Sequence, residues 1–120
     1  MTQSSPTLPD ARQIHQILLG LPLPMPTEIQ TAVRYPHTVW VWFQGGTGDG
    51  GDASAALDAA RTWITALDGS LAYDTSHDGT WQTHGYGHLH GWDVVVDAIV
   101  DLSDLDAEQA AADTTPGGAA

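Results

Sequence analysis

The stretch Trp81-Gln-Thr-His-Gly-Tyr-Gly-His-Leu-His-Gly-Trp-Asp-Val-Val-Val-Asp-Ala-Ile-Val100 decides the fold. Residue character alternates along it every second position, the period of a strand. A helix would also bring Asp93, Asp97 and Asp101 onto one face, but three successive valines are β-branched and favour the strand. His90-Gly91 reads as a two-residue hairpin turn. It pairs Leu89 with Trp92, His88 with Asp93, Tyr86 with Val95, His84 with Asp97, Gln82 with Ile99 and Trp81 with Val100. Just upstream, Asp78-Gly79 is a second such turn, pairing His77 with Thr80, Tyr73 with His84 and Leu71 with Tyr86.

These registers sort the sheet into two unlike faces. One carries Trp81, Leu89, Trp92, Val94, Val96, Ala98 and Val100, with Gly85 and Gly87 leaving room for close approach, and reads as the core side. The other carries Leu71, Tyr73, Gln82, His84, Tyr86, His88, Asp93, Val95, Asp97, Ile99 and Asp101, and is wet, aromatic and acidic.

Outward from this block, Asp52 is a good N-cap, and Ala53, Ala56, Leu57, Ala60, Ile64 and Leu67 form a helical stripe that ends before Gly69. The spacing predicts a helix over 53–68 lying on the core side. Thr38-Val-Trp-Val-Trp-Phe-Gln44 reads as a strand with both faces apolar: Val39, Val41 and Phe43 on one, Trp40 and Trp42 on the other. Glu28–Arg34 alternates as a further strand, with Tyr35-Pro36-His37 as the turn between the two. Thr7-Leu8-Pro9-Asp10 reads as a capping box opening a helix over 8–19, stopped by Gly20. Pro22, Pro24 and Pro26 then impose an extended connector whose Leu23 and Met25 are expected to cover apolar surface.

The expected fold class is α+β in two layers: an antiparallel sheet of four or five strands, one main helix on one face and a short N-terminal helix at an edge. Residues 1–7 are expected to be disordered, 8–102 to form a single domain and 103–120 to be an acidic, mostly disordered tail that opens with a frayed turn or helix. An apolar fraction of 42% over 120 residues suits one modest core and is too high for a disordered chain.

The formal charge of -12 comes from 15 acids against three arginines, with no lysine at all. Phosphate backbones and anionic membranes are held by clustered Lys and Arg, so neither direct nucleic acid nor a membrane surface is an expected partner. Arg12 and Arg34 balance Asp10 and Glu28, so the whole net charge falls after residue 48, where only Arg61 opposes the acids. Such a surface suits solubility or a basic partner. No cysteine is present, which rules out a disulfide, a thiolate nucleophile and a cysteine zinc site. The N-terminus lacks the pattern of a signal peptide, and no apolar run approaches a membrane span, so the expected location is cytoplasmic.

Chemistry-bearing motifs are sparse. His88 and His90 with Asp93 across the turn form a weak candidate three-ligand metal site, whereas His84 and His88 lie about 13 Å apart on a strand, too far to share an ion. Ser76, His77 and Asp78 are adjacent at a turn, where alternate side chains point apart, so they make no triad. Gly46-Thr-Gly-Asp-Gly-Gly51 matches G-x-G-x-x-G between a strand and a helix, but Asp49 and Asp52 would repel a pyrophosphate and no second mononucleotide-binding half exists. The same loop is one imperfect copy of a glycine-aspartate calcium turn, which needs stacked repeats. No catalytic residue and no cofactor is indicated.

The run from Thr38 to Val100 resembles a group of small uncharacterised actinobacterial proteins, chiefly from Streptomyces and from actinophages and mobile elements. The shared outline is the strand Thr38-Val-Trp-Val-Trp, the helix ending Trp63-Ile-Thr-Ala-Leu67 and the hairpin around Gly87-His-Leu-His-Gly91-Trp-Asp-Val-Val-Val96. This resemblance implies an α+β fold and a bacterial or phage cytosol, and no activity.

The function expected is a non-catalytic protein-interaction module presenting His84, Tyr86, His88, Asp93, Asp97, Asp101 and Tyr73, with Trp40 and Trp42 as further binding residues that form an aromatic trio with Tyr35, to a protein partner. Two other readings stand beside it. One is an acidic DNA mimic that blocks a basic protein with Asp93, Asp97, Asp101, Asp104 and Asp106; the other is a small metal-binding protein using His88 and His90. Homodimerisation through an exposed strand or through Trp40 and Trp42 is left open by the sequence.

Overall fold

The computed structural model describes residues 8–44 and 52–113. Expectations for residues 1–7, including Thr7 in the capping box, for the Gly45–Gly51 loop and for 114–120 lie outside the described residues.

The first helix, α1 (Ala11–Leu19), starts later than the Thr7 reading placed it. Its N-cap is Asp10, whose carboxylate accepts the Gln13 N–H at 2.8 Å while the Gln13 side-chain oxygen accepts the Asp10 N–H at 2.8 Å. That reciprocal pair satisfies two N–H groups at the start of the helix, and only a residue with a partner three positions on can form it. Ile14 and Leu18 turn inward and are fully buried. Two indoles tie down the segments flanking α1: Trp63 Nε1–H donates to the Pro24 carbonyl in the proline connector and Trp92 Nε1–H to the Pro9 carbonyl ahead of the helix, each at 2.7 Å. Leu23 packs against the core as expected, but Met25 is 68% exposed and covers nothing.

The remaining elements are β1 (Glu28–Ala32), β2 (Tyr35–Gln44), α2 (Ala53–Ala66), β3 (Ser70–His77), β4 (Thr80–Leu89), β5 (Trp92–Asp101) and α3 (Leu102–Asp113). They form an α+β, two-layer structure with one five-stranded sheet in the order β1-β2-β5-β4-β3. The sheet is mixed rather than wholly antiparallel, because β2 and β5 run parallel, from Thr38 beside Asp93 to Gln44 beside Ile99. Direction parity is the reason. After β2, helix α2 returns the chain to the starting end of the sheet, and the two hairpins β3–β4–β5 then reverse it twice.

Both two-residue turns form where expected, with positive φ at each central residue: Asp78 and Gly79 at 49° and 81°, His90 and Gly91 at 50° and 87°. These values suit the tight twisted hairpin. The β4–β5 register matches expectation at every pair, and Tyr73 faces His84 in β3–β4. Beyond Tyr73 a bulge intervenes, so Leu71 pairs with Gly85 and not with Tyr86, which leaves Leu71 outside the His/Tyr row. The β1–β2 turn also differs. The strands join through Val33 and Arg34, while Pro36 and His37 fall within β2, where the register with β1 is interrupted and His37 takes φ 65°. A proline on this sheet-edge hairpin needs no ladder donor, which is how a turn-like dipeptide is accommodated inside a strand.

Helix α2 buries Ala53, Ala56, Leu57, Ala60, Trp63 and Ile64 against Val39, Val41, Phe43, Val94, Val96, Ala98 and Val100. Each large side chain removed from water here contributes roughly 1.5–3 kcal/mol. Glycines on β4 let helix side chains settle onto the strand backbone: Gly85 lies under the Ile64 side chain and Gly87 under that of Leu67. The segment 102–113 is the helix α3 rather than disordered chain. Leu105 packs on the core margin, and the Glu108 carboxylate accepts the N–H groups of Ala53 and Ser54 and the Ser54 hydroxyl, the last at 2.8 Å. It therefore fills the role of an N-terminal cap for α2, whose own N-cap residue Asp52 makes no such bond.

Candidate functional site

The face of the sheet opposite α2 carries every residue expected to bind. Cross-strand register arranges it in transverse rows. One row crosses all five strands: Glu28, Trp42, Asp97, His84 and Tyr73. The next holds Gln30, Trp40, Val95, Tyr86 and Ser70. Towards the β4–β5 turn lie Thr38, Asp93 and His88, and towards the other end Asp101 sits opposite Thr80.

At the centre, His84 is held on three sides. Its Nδ1 bonds the Asp97 carboxylate, its Nε2 meets the Tyr86 hydroxyl at 2.9 Å, and the Tyr73 ring stacks on it with centroids 5.1 Å apart. A carboxylate accepts only, so Nδ1 is the donor in the first contact. The His84 and Asp97 side chains are only 16% and 14% exposed, while the flanking Tyr73 and Tyr86 are 44% and 48% exposed. The polar pair is thus a rigid floor and the tyrosines are the accessible surface.

His88 and Asp93 also pair, at 2.9 Å, but both are largely exposed, and such a contact contributes little to stability. His90 occupies the turn at φ 50°, off the strand row that carries its two intended co-ligands. Among the described residues no group of three or more His, Asp or Glu side chains is arranged to hold a metal ion, so the candidate site of His88, His90 and Asp93 is not assembled.

Trp40 and Trp42 are half-buried on the far side of β5 from the tyrosines. The Tyr35 ring meets Trp40 edge-on, with centroids 5.7 Å apart and planes at 77°. Together with Gln30, Thr31, Ala32 and Trp42 they line a hollow of about 280 Å3.

Two polar constellations were not singled out by sequence reasoning. On the helix side, Asp74 accepts from Arg61 Nε at 2.7 Å and Nη2 at 3.0 Å, from Trp81 Nε1 at 2.6 Å and from the Thr83 hydroxyl at 2.8 Å. The Arg61 hydrogen bonds, with those of Trp81 and Thr83, outweigh the cost of burial and hold the Asp74 carboxyl at about 2. The same bond to Asp74 raises Arg61 above its ordinary value. The signal lay in the register: Asp74 opposite Thr83 puts a carboxylate on the apolar side of β3, where it demands a cation, and α2 has one arginine. The second is Glu108, whose carboxyl is lowered by the Ser54 hydroxyl and by the backbone N–H groups of Ser54 and Ala53. Between these two, a groove of about 480 Å3 is lined by Leu57, Arg61, Trp81, Leu105 and Glu108 among others.

Comparison of the chain with protein-family models, with curated proteins and with solved structures gives no match. Among the described residues no helix is long and apolar enough to cross a membrane.

Proposed function

We propose that this protein is a non-catalytic interaction module whose open sheet face docks a protein partner. The observation that carries this reading is the concentration of accessible rings there: exposed Tyr73 and Tyr86 stand on a preformed His84–Asp97 floor, with half-buried Trp40 and Trp42 across β5 from them and all three helices contributing to the opposite side or its margin. Tyr and Trp presented on rigid strands offer large contact area at small entropic cost, the makings of an interface hot spot. The partner is a protein, with basic character favoured by the charge of -12.

The DNA-mimic reading draws less support. Asp93, Asp97 and Asp101 recur every fourth residue of β5, about 13 Å apart, whereas each strand of a duplex carries a phosphate per 3.4 Å of axis. Asp97 is turned to His84, and Asp106 lines the groove beside α2 on the opposite side of the sheet.

The test is a capture experiment from bacterial lysate with tagged wild type and a Tyr73→Ser, Tyr86→Ser double variant, both checked for folding by circular dichroism. The expected result is a protein retained by wild type at moderate salt and lost from the variant. Equal retention of the same protein by both forms would remove the open face from consideration.

A further inference from the structure

We infer that the open face recognises an arginine-bearing segment of its partner, with a guanidinium seated over Trp42 and in the hollow bounded by Tyr35 and Trp40. This names the chemistry of the partner and rests on the interaction-module reading.

Three observations converge on a cation. First, the register sets Trp42 directly beside the exposed carboxylate of Glu28 on β1, one strand away at about 4.8 Å between backbones, while Asp97 on its other flank is held by His84. An indole face attracts a cation through its quadrupole, and the Glu28 carboxylate adds to the same preference. Second, the adjoining hollow of about 280 Å3 has rings for walls, with Tyr35 and Trp40 meeting nearly at right angles. A planar guanidinium can lie against one ring while its N–H groups reach Gln30 or a flanking carboxylate. Third, no strand of the sheet carries Lys or Arg, so the face itself sets no like charge against an incoming arginine, and Arg34, beside Tyr35 in the β1–β2 turn, is the one arginine next to the hollow in sequence.

The same features disfavour other occupants. A neutral side chain or a sugar would cover Glu28 without answering its charge, which costs free energy. A second copy of this chain would bring a net charge of -12 to the same face, with only Arg12 and Arg34 beyond the Arg61 held by Asp58 and Asp74. A nucleic acid would be repelled.

The test uses the full chain and a blocked peptide of alternating glycine and arginine, with the matching citrulline peptide as a neutral isostere. Binding is followed through the indole N–H signals of Trp40 and Trp42 by NMR. The expected result is saturable displacement of the Trp42 signal by the arginine peptide and at least about tenfold weaker binding of the citrulline peptide. Trp42→Leu, which keeps apolar bulk without the ring, and Glu28→Gln should each weaken binding about fivefold, whereas Asp106→Asn, on α3, should leave it unchanged. Equal binding of both peptides would overturn the inference and leave the interaction-module reading standing. No displacement of either indole would overturn it, as would an equal loss in Asp106→Asn and Glu28→Gln, which marks diffuse charge attraction. Saturation by a neutral oligosaccharide alone would replace the partner class. Loss of the interaction-module reading shows separately, as lysate capture indifferent to Tyr73 and Tyr86.

Discussion

Asp74 shows how much one carboxylate can do on the apolar side of a strand. It gathers Arg61, Trp81 and Thr83 around one side chain, tying β3 to β4 and both to α2. Asp74→Asn should lower the unfolding free energy by about 1–2 kcal/mol at neutral pH, after allowing for solvent screening at the half-exposed arginine. The carboxyl sits at about 2 in the fold against 3.8 ordinarily, so its contribution is complete above the ordinary value and disappears as pH falls from there towards 2. Urea midpoints of wild type and variant should therefore differ at pH 7 and converge near pH 2; a gap that persists at pH 2 would assign the effect to shape and not to charge. Gly69 and Gly79 make a second residue-scale contrast. A Cβ at Gly69 would collide with the Tyr86 carbonyl, which is backbone in a paired strand, so Gly69→Ala should cost about 3 kcal/mol or more in a denaturation series. A Cβ at Gly79 meets nothing, and Gly79→Ala should cost about 1 kcal/mol from its φ of 81° alone.

At the scale of elements, legibility followed the strength of local chemistry. Asp78-Gly79 and His90-Gly91 both demand positive φ and sit between alternating segments, which fixed ten pairs between β4 and β5 and the face of each residue. The β1–β2 turn was misread because Val33-Arg34 carries no turn residue, while Pro36-His37 looks like one yet lies within a strand. The bulge that displaces Leu71 leaves no local mark either, since neither Leu71 nor Ala72 is a residue type that signals one. Helix α3 read only as a frayed turn or helix because its apolar residues have no helical period; it is fixed by tertiary contacts, chiefly Leu105 and the Glu108 carboxylate on α2. Of the site, the rows through His84, Asp97 and Tyr73 were legible from register and the grouping of Tyr35 with Trp40 and Trp42 from their aromatic character, while the Asp74 network depends on side chains meeting across elements. Glu108→Ala should therefore be felt far from its position in sequence, as about fivefold faster amide exchange at Ala53 and Ser54, measured by NMR. Unchanged exchange at both amides would show that water replaces the carboxylate without loss.

For the whole molecule the dominant quantity is charge. Fifteen acids against three arginines make self-repulsion a standing cost, so the melting temperature should rise by a few degrees between about 10 and 200 mM salt, as measured by calorimetry. A flat or falling profile would mean that local ion pairs outweigh the overall field. The parallel ladder between β2 and β5 has a different consequence, one of timing. It joins Thr38 to Asp93 and Gln44 to Ile99, across the whole of α2 and both later hairpins, whereas the β3–β4–β5 meander closes through two tight turns. Local hairpins form in microseconds, and non-local pairing waits on the entropy of a long loop. The meander is thus expected to assemble first, with the Trp92-to-Val100 strand showing a bare edge until β2 arrives. That interval is when the chain is most prone to pair with its neighbours, and Asp93, Asp97 and Asp101, spaced along that same strand, place a negative charge at every second outward position to hold other copies off.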